Sequence, residues 1–296
     1  VTRAGFVALA GRPNVGKSTL TNAIVGVKVA IVSDRPQTTR RAVRGVASGP
    51  DWQLVLVDLP GVQRPRDALT ARMARSVTRE LADADAALML LNGEEGVGPG
   101  DRYIAASLMG SPGPVTVAVN KVDRLSKERQ AAALLAAAEI APPAAEVFPI
   151  SARSGEGVAA LVAHLVAQLP PSPFLYALEQ RSDMGREELL AELIREQVLR
   201  RTFQELPHAI GVVIEELTRE EQDGGVTRIE ALIWVETESQ KAIVVGHAGR
   251  MIKAIGTAAR RELERELDGR VHLSLIVRVR RNWRADDGLL DRLGIE

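Results

Sequence analysis

Gly11-Arg12-Pro13-Asn14-Val15-Gly16-Lys17-Ser18 has the residue types and spacing to hold a chain of phosphates. The glycines let the backbone turn tightly and approach an anion. N–H groups of such a loop, and of a helix that follows it, point at one spot and favour negative charge there. Lys17 is placed to reach the β and γ phosphates, and the Ser18 hydroxyl to bind Mg²⁺, with Thr19 leading into the helix. Asp58-Leu59-Pro60-Gly61 offers a carboxylate that can hold Mg²⁺ through water and a Gly61 N–H that can meet a γ-phosphate.

Asn120-Lys121-Val122-Asp123 points to the base. A carboxylate only accepts hydrogen bonds. Guanine presents N1–H and a 2-amino group side by side, and adenine has neither, so Asp123 would select guanine. A site built to bond a substrate donor rejects the analogue lacking it by ~10⁴ or more. Asn120 is expected to brace the loops and the Lys121 stem to cover the base. In Ser151-Ala152-Arg153 the Ala152 N–H suits guanine O6. Thr38 and Thr39 lie in a polar stretch, Ser33 to Arg41, where a hydroxyl could complete the Mg²⁺ shell while γ-phosphate is present. The sequence leaves both open, and Thr39 is our choice. Lys17, Thr39 and Gly61 are the expected transition-state and switch contacts; no side chain stands out as a chemical catalyst.

These motifs need strands and helices to bring them together. Apolar runs at Phe6–Ala10, Val43–Ala47, Leu54–Val57, Ala86–Leu91, Val115–Val119 and Val147–Ile150 read as strands, mostly apolar throughout, as strands covered on both faces should be. Helical patterns lie between them; Leu69, Met73, Val77 and Leu81 recur every four residues on one face. The pattern predicts a doubly wound α/β sheet. Gly11, Asp58, Asn120 and Ser151 each follow a strand directly. Ligands of open α/β sheets bind at the carboxyl ends of strands, so four segments should meet in one crevice.

Pro170-Pro171-Ser172-Pro173 cannot extend a helix and favours an extended spacer. It sets the predicted division: a nucleotide-binding domain over 1–172, a proline-rich linker over 173–182, and a second domain over 183–296. In the second, a helix is expected from Arg186 to Phe203. Alternating strands follow around Ile210–Ile214, Ile229–Val235 and Val271–Val279, with a hairpin turn at Asp223-Gly224-Gly225. Gly246-His247-Ala248-Gly249 precedes a helix over Arg250–Leu267. Lys241–Val245 reads as a strand by propensity, because Ile243, Val244 and Val245 are β-branched. Trp234 is expected to face the core, Trp283 to pack, and Ala285–Leu293 to form a short amphipathic helix.

Lys plus Arg and Asp plus Glu both total 38, yet their distribution is uneven. Residues 241–284 carry 11 basic and 4 acidic side chains, whereas 205–240 carry 9 acidic and 2 basic. The segregation predicts a charged face that the net charge conceals. The absence of cysteine excludes disulfides and Cys-based zinc sites and fits a reducing cytosol. No apolar run approaches the ~18 residues of a membrane span, and no signal-peptide pattern opens the chain, which begins with Val1.

Taken together, the first-half motifs resemble the GTP-binding domain of the translation-factor-related GTPases. Adding Gln37-Thr38-Thr39-Arg40 and the Gly-x-x-Gly segment, essentially the whole chain resembles the Era family of ribosome-assembly GTPases. The resemblance implies an α/β P-loop GTPase domain followed by an α+β KH domain of type II. It makes residues 241–245 a short helix capped by Ser239. Gly246, His247, Ala248 and Gly249 would clamp about four nucleotides of a single strand. Arg250, Lys253, Arg278 and Arg280 would contact phosphate. The implied partners are GTP and GDP, the single-stranded 3′ end of small-subunit rRNA, and the small ribosomal subunit. The implied chain is a monomer in the cytoplasm, peripheral at the inner face of the cell membrane. Mg²⁺ is the implied cofactor, and Asn14 implies a potassium ion as in several bacterial GTPases with Gly-Arg-Pro-Asn loops. Val62 stands where Ras-like proteins carry a water-orienting glutamine, so slow intrinsic hydrolysis is expected. Two other readings stand beside this one: a signalling GTPase whose second domain binds protein, and an RNA-binding factor in which nucleotide is only structural.

Overall fold

The computed structural model of the chain describes residues 1–33, 35, 38–61, 66–202, 209–220 and 225–295. It divides into two compact units. The first comprises residues 1–32, 39–65 and 73–183; the second comprises 33–38, 66–72 and 184–296.

The first unit is built on a six-stranded sheet among the described residues. Its strands are β1 (Arg3–Ala10), β2 (Val43–Ser48), β3 (Trp52–Asp58), β4 (Ala86–Asn92), β5 (Val115–Asn120) and β6 (Val147–Pro149). Their order is β2-β3-β1-β4-β5-β6. Only β2 runs antiparallel to its neighbour. Helices α1 (Lys17–Val25), α2 (Ala68–Asp83), α3 (Pro99–Leu108) and α4 (Lys127–Ile140) link strands, and α5 (Val158–Gln168) follows β6.

Each strand's alternation sends side chains to both faces, and both faces are covered. Val7, Leu9, Leu54, Leu56, Leu88 and Leu90 pack with Leu161 and Leu165 of α5. Their alternates Ala10, Ala87, Met89 and Leu91 pack with Ile104 and Leu108 of α3. This two-sided burial explains the continuous apolar runs, and all six expected strands form. The parallel order aligns the carboxyl ends of β1, β3, β4 and β5, which is what positions the site.

The proline-rich stretch is fastened to the first unit. Arg3 bridges Pro171, Gly45 bridges Ser182, and Val46 N–H donates to the Arg181 carbonyl at 2.8 Å. Gln53, fully buried in β3, holds the middle. Its Oε1 accepts from Leu175 N–H (2.7 Å) and Tyr176 N–H (2.8 Å), while Nε2 donates to the Tyr176 carbonyl (3.0 Å) and Ser48 Oγ (3.1 Å).

In the second unit α6 (Arg186–Arg201) is followed by β7 (Gly211–Glu220), β8 (Val226–Val235), α7 (Glu238–Val245), α8 (Arg250–Glu266), β9 (Val271–Val279) and α9 (Asp287–Arg292). The sheet order is β7-β8-β9, with β7 antiparallel and β9 parallel to β8. Parallel β8 and β9 need a crossover, and α7 and α8 supply it. One face of the sheet (Val212, Ile229, Ala231, Ile233, Val277) packs against Leu190, Ile194 and Val198 of α6 and Ile255, Ala259 and Leu263 of α8. Trp234 and Trp283 are fully buried, the latter donating from Nε1 to the Ala209 carbonyl at 3.0 Å.

Residues 241–245 are helical, against their β-branched propensity. Val244 is buried in the core, so packing outweighs a preference of a few tenths of a kcal/mol per residue. The cap is Thr237, not Ser239. Thr237 Oγ1 accepts from Gln240 N–H at 3.2 Å and Gln240 Oε1 accepts from Thr237 N–H at 3.2 Å. A capping box needs its hydroxyl three residues before the Glu or Gln, and only Thr237 stands so to Gln240. Helix α6 ends at Arg201. Phe203, most of the Asp223-Gly224-Gly225 turn, Gln37 and Val62 lie outside the described residues.

Candidate nucleotide site and nucleic-acid loop

The phosphate loop leaves β1 at Gly11 and enters α1 at Lys17. Gly16 caps the helix with φ 105° and no side-chain cap, so the first-turn N–H groups keep their bonding capacity for a ligand. A Cβ at Gly16 would stand 2.2 Å from Asn120 Nδ2; only glycine fits both the backbone and the space. Val15 is buried, while Asn14 lies exposed at the tip with φ 65°.

Lys17 is buried, and its Nζ donates to the carbonyls of Gly11 (3.1 Å) and Arg12 (3.2 Å). Burial lowers its pKa, opposed in part by the nearby Asp58 charge. Burial likewise raises the pKa of Asp58, opposed by Lys17, Ser18 and Thr39. Both shifts mark charges withdrawn from water without full compensation.

Three oxygen-bearing groups meet between β1 and β3. Ser18 Oγ donates to Asp58 Oδ2 at 2.6 Å, and Thr39 Oγ1 lies 3.1 Å from Ser18 Oγ and 3.5 Å from Asp58 Oδ2. Asp58 Oδ1 is buried and, among the described residues, has no hydrogen-bond partner. Two hydroxyls and a carboxylate with an unused lone pair are hard oxygen donors, and they fit Mg²⁺. The Thr38 hydroxyl donates instead to the Arg35 carbonyl at 2.6 Å. Leu59 and Pro60 are buried and support the turn, and Gly61 abuts Pro13.

Asn120 joins three motifs with one carboxamide. Nδ2 donates to the Val15 carbonyl at 2.8 Å; Oδ1 accepts from Lys121 N–H (2.8 Å) and Ala152 N–H (2.9 Å). The Ala152 donor that suits guanine O6 is therefore engaged by Asn120 in this structure. Asp123 is exposed in a single 3-10 turn and has no protein partner among the described residues. Lys121 precedes it at φ 67° with its ammonium 3.9 Å from Glu94. Ser151 is buried, its Oγ accepting from Ser154 N–H at 3.1 Å, and Arg153 is exposed.

Arg12 turns away from this cluster. Its Nε donates to Asp101 Oδ1 at 2.9 Å and its Nη1 meets Glu95 at 3.2 Å, so these acids hold its pKa above the usual value. Glu94, Glu95 and Asp101 carry no motif and are absent from the sequence expectations. Two signals could have found them. Asn92 is one more polar residue ending a strand, and Gly98-Pro99-Gly100-Asp101 is a helix-start pattern with proline first and an acid third.

In the second unit Gly246, Ala248 and Gly249 have φ of 72°, 51° and 74°, which folds the loop into one tight turn between α7 and α8. His247, Ala248, Arg250 and Lys253 are exposed around it. Arg278 is exposed near the end of β9, on the face opposite the buried Val277, and Arg280 is exposed just past the strand. Arg250 and Lys253 thus open α8 directly after the loop. Among the described residues none of these four cations forms an ion pair, whereas Arg260 and Arg265 of α8 pair with Glu264 and Glu262. Unpaired cations beside a tight glycine turn can neutralise phosphates.

Comparison with known proteins adds to this geometry. The family "50S ribosome-binding GTPase" matches residues 6–121, and "KH domain" matches residues 205–284. The chain is 44% identical over 294 residues to GTPase Era of Mycolicibacterium smegmatis, covering 99% of this chain and 98% of that one. It is 45% identical over 294 residues to GTPase Era of Mycobacterium tuberculosis, covering 98% of each. Among solved structures it is similar to Era in complex with MgGDPNP and nucleotides 1506–1542 of 16S ribosomal RNA. That likeness has a TM-score of 0.95 at 33% identity and covers 100% of this chain and 99% of the other. An Aquifex aeolicus Era variant bound to GDP and AlF4⁻ gives a TM-score of 0.93 at 33% identity over 99% of both chains.

Proposed function

The chain belongs to the Era family of GTPases, and from that premise we propose a GTP-hydrolysing, RNA-binding factor that acts in assembly of the small ribosomal subunit. The reading is carried by one pairing within the chain. A guanine-nucleotide site with a buried Asp58 oxygen is followed by a Gly-x-x-Gly turn flanked by cations, and among the described residues neither that oxygen nor those cations have a partner.

In this reading Lys17 leaves the Gly11 and Arg12 carbonyls for the β and γ phosphates, where its desolvated charge acts at full strength. Ser18, Thr39 and, through water, Asp58 would hold Mg²⁺, which when bound would neutralise developing phosphate charge. Gly61 N–H meets the γ-phosphate, and Asp123 reads guanine while Asn120 keeps the loops in register. Position 62 is valine, whose aliphatic side chain cannot orient water, so hydrolysis is slow. The Asn14 side chain helps to hold a potassium ion against the phosphates.

The 3′ end of small-subunit rRNA is the proposed RNA, supported by the rRNA fragment held by the related Era. Gly246–Gly249 clamps the strand, and Arg250, Lys253, Arg278 and Arg280 contact phosphate. GTP orders the Thr39 segment and hydrolysis releases it, which times RNA binding. Among the described residues no helix is long and apolar enough to cross a membrane. The monomeric state and a peripheral place at the inner membrane face rest on the resemblance. The test is crosslinking to cellular RNA with and without a non-hydrolysable GTP analogue. Enrichment of the rRNA 3′ end that changes with nucleotide is expected; crosslinks indifferent to both sequence and nucleotide overturn the reading.

A further inference from the structure

Arg12 sits inside the phosphate loop, yet its guanidinium is committed elsewhere. Nε donates to Asp101 Oδ1 at 2.9 Å, Nη1 lies 3.2 Å from Glu95 Oε2, and Nη2 donates to the Gly96 carbonyl at 3.4 Å. Each nitrogen has its own partner, an arrangement that uses the planar fork and that a lysine ammonium cannot reproduce. Asp101 is fully buried and also accepts from Gly98 N–H at 2.9 Å, so it is fixed to the start of α3. Glu95 is held in turn by Asn92 Nδ2 at 2.7 Å, at the end of β4. The Arg12 main chain belongs to the site itself, because its carbonyl accepts from Lys17 Nζ at 3.2 Å.

The same short loop reaches the base end. Glu94 pairs with Arg124 at 3.0 Å and lies 3.9 Å from Lys121 Nζ, and Gly93 N–H donates to the Asn120 carbonyl at 3.0 Å. The loop between β4 and α3 thus grips the phosphate loop with Glu95 and the base loop with Glu94.

We propose that Arg12, clamped by Asp101 and Glu95, is a positioning residue that pre-sets the phosphate loop for nucleotide. The loop binds through N–H groups that must be aimed before the ligand arrives. Fixing that backbone in advance lowers the entropy lost on binding. The inference rests on the GTP-binding reading and deepens it.

The test measures affinity for fluorescent GDP, the guanine-over-adenine ratio and the apo melting temperature for the parent, Gly100→Ala, Arg12→Lys and Glu95→Gln. Gly100→Ala removes no charge and suits a helix, but its Cβ would stand 2.8 Å from Arg12 Cδ. GDP affinity is expected to fall roughly tenfold in all three, as for other supporting partners of a binding site. The base ratio stays at the parent value, and the Gly100→Ala melting temperature does not fall. Parent-like GDP affinity in Gly100→Ala and Arg12→Lys overturns the proposal. So does a loss of affinity that merely follows loss of fold. A parent that binds no GDP overturns the GTP-binding reading instead, so the two failures are distinct.

Discussion

Thr38 and Thr39 are neighbours of the same type with different work. The Thr39 hydroxyl faces Ser18 and Asp58, and the Thr38 hydroxyl is tied to the Arg35 carbonyl. Thr39→Ala should weaken Mg²⁺-dependent GTP affinity roughly tenfold, while Thr38→Ala leaves it at the parent value; titration with GTP at varied Mg²⁺ checks both. Asp123→Asn exchanges an acceptor for a donor at an exposed carboxylate that no group among the described residues engages. Its preference should shift from guanine to xanthine nucleotides, read by competition binding. The sequence pointed to Asp123 because chemistry alone demands a lone acceptor there. It left the threonines open because both can ligate a metal and only the backbone decides which one turns inward. Asp101 escaped notice because its partner, Arg12, is 89 residues away, and no local pattern records a pair at that separation.

At the scale of elements, strands of the first unit were legible because both faces of the sheet are covered, which leaves runs such as Ala86–Leu91 apolar throughout. The β-branched run at 243–245 pointed the wrong way on propensity, because Val244 gains more by entering the core than it loses in the helix. The cap was misplaced by two residues, since Thr237 and Ser239 are both hydroxyls and only the reciprocal bond to Gln240 separates them. The turn between α7 and α8 carries a prediction of its own. Gly249 has φ 74°, and aspartate there would add backbone strain and a negative charge beside Arg250. Gly249→Asp should abolish RNA binding in a filter or anisotropy assay and leave GTP affinity at the parent value. Retained RNA affinity would show that this turn is not the clamp.

At the scale of the whole molecule, equal totals of acidic and basic side chains hide a second unit whose cations are unevenly paired. Arg260 and Arg265 of α8 are answered by Glu264 and Glu262, whereas among the described residues Arg250, Lys253, Arg278 and Arg280 form no ion pair. Affinity for RNA should therefore fall steeply with salt, as phosphate-dominated binding does. The first unit answers to a different ion. If Asn14 helps to hold potassium, GTP turnover should be faster in potassium than in sodium chloride at equal ionic strength; equal rates remove that role.

Gln53 sets where this chain can be cut. A fragment stopping at residue 172 takes away Leu175 and Tyr176 and leaves Gln53 Oε1 without its two donors, at about 1–3 kcal/mol for a buried group left without a bond, while Nε2 keeps only Ser48 Oγ. A fragment ending at Asp183 keeps that tether, along with the 2.9 Å pair between Arg44 and Asp183. Melting curves of the two should separate, the shorter piece unfolding at lower temperature. The stretch that the prolines open is stitched into the first unit as its last seam.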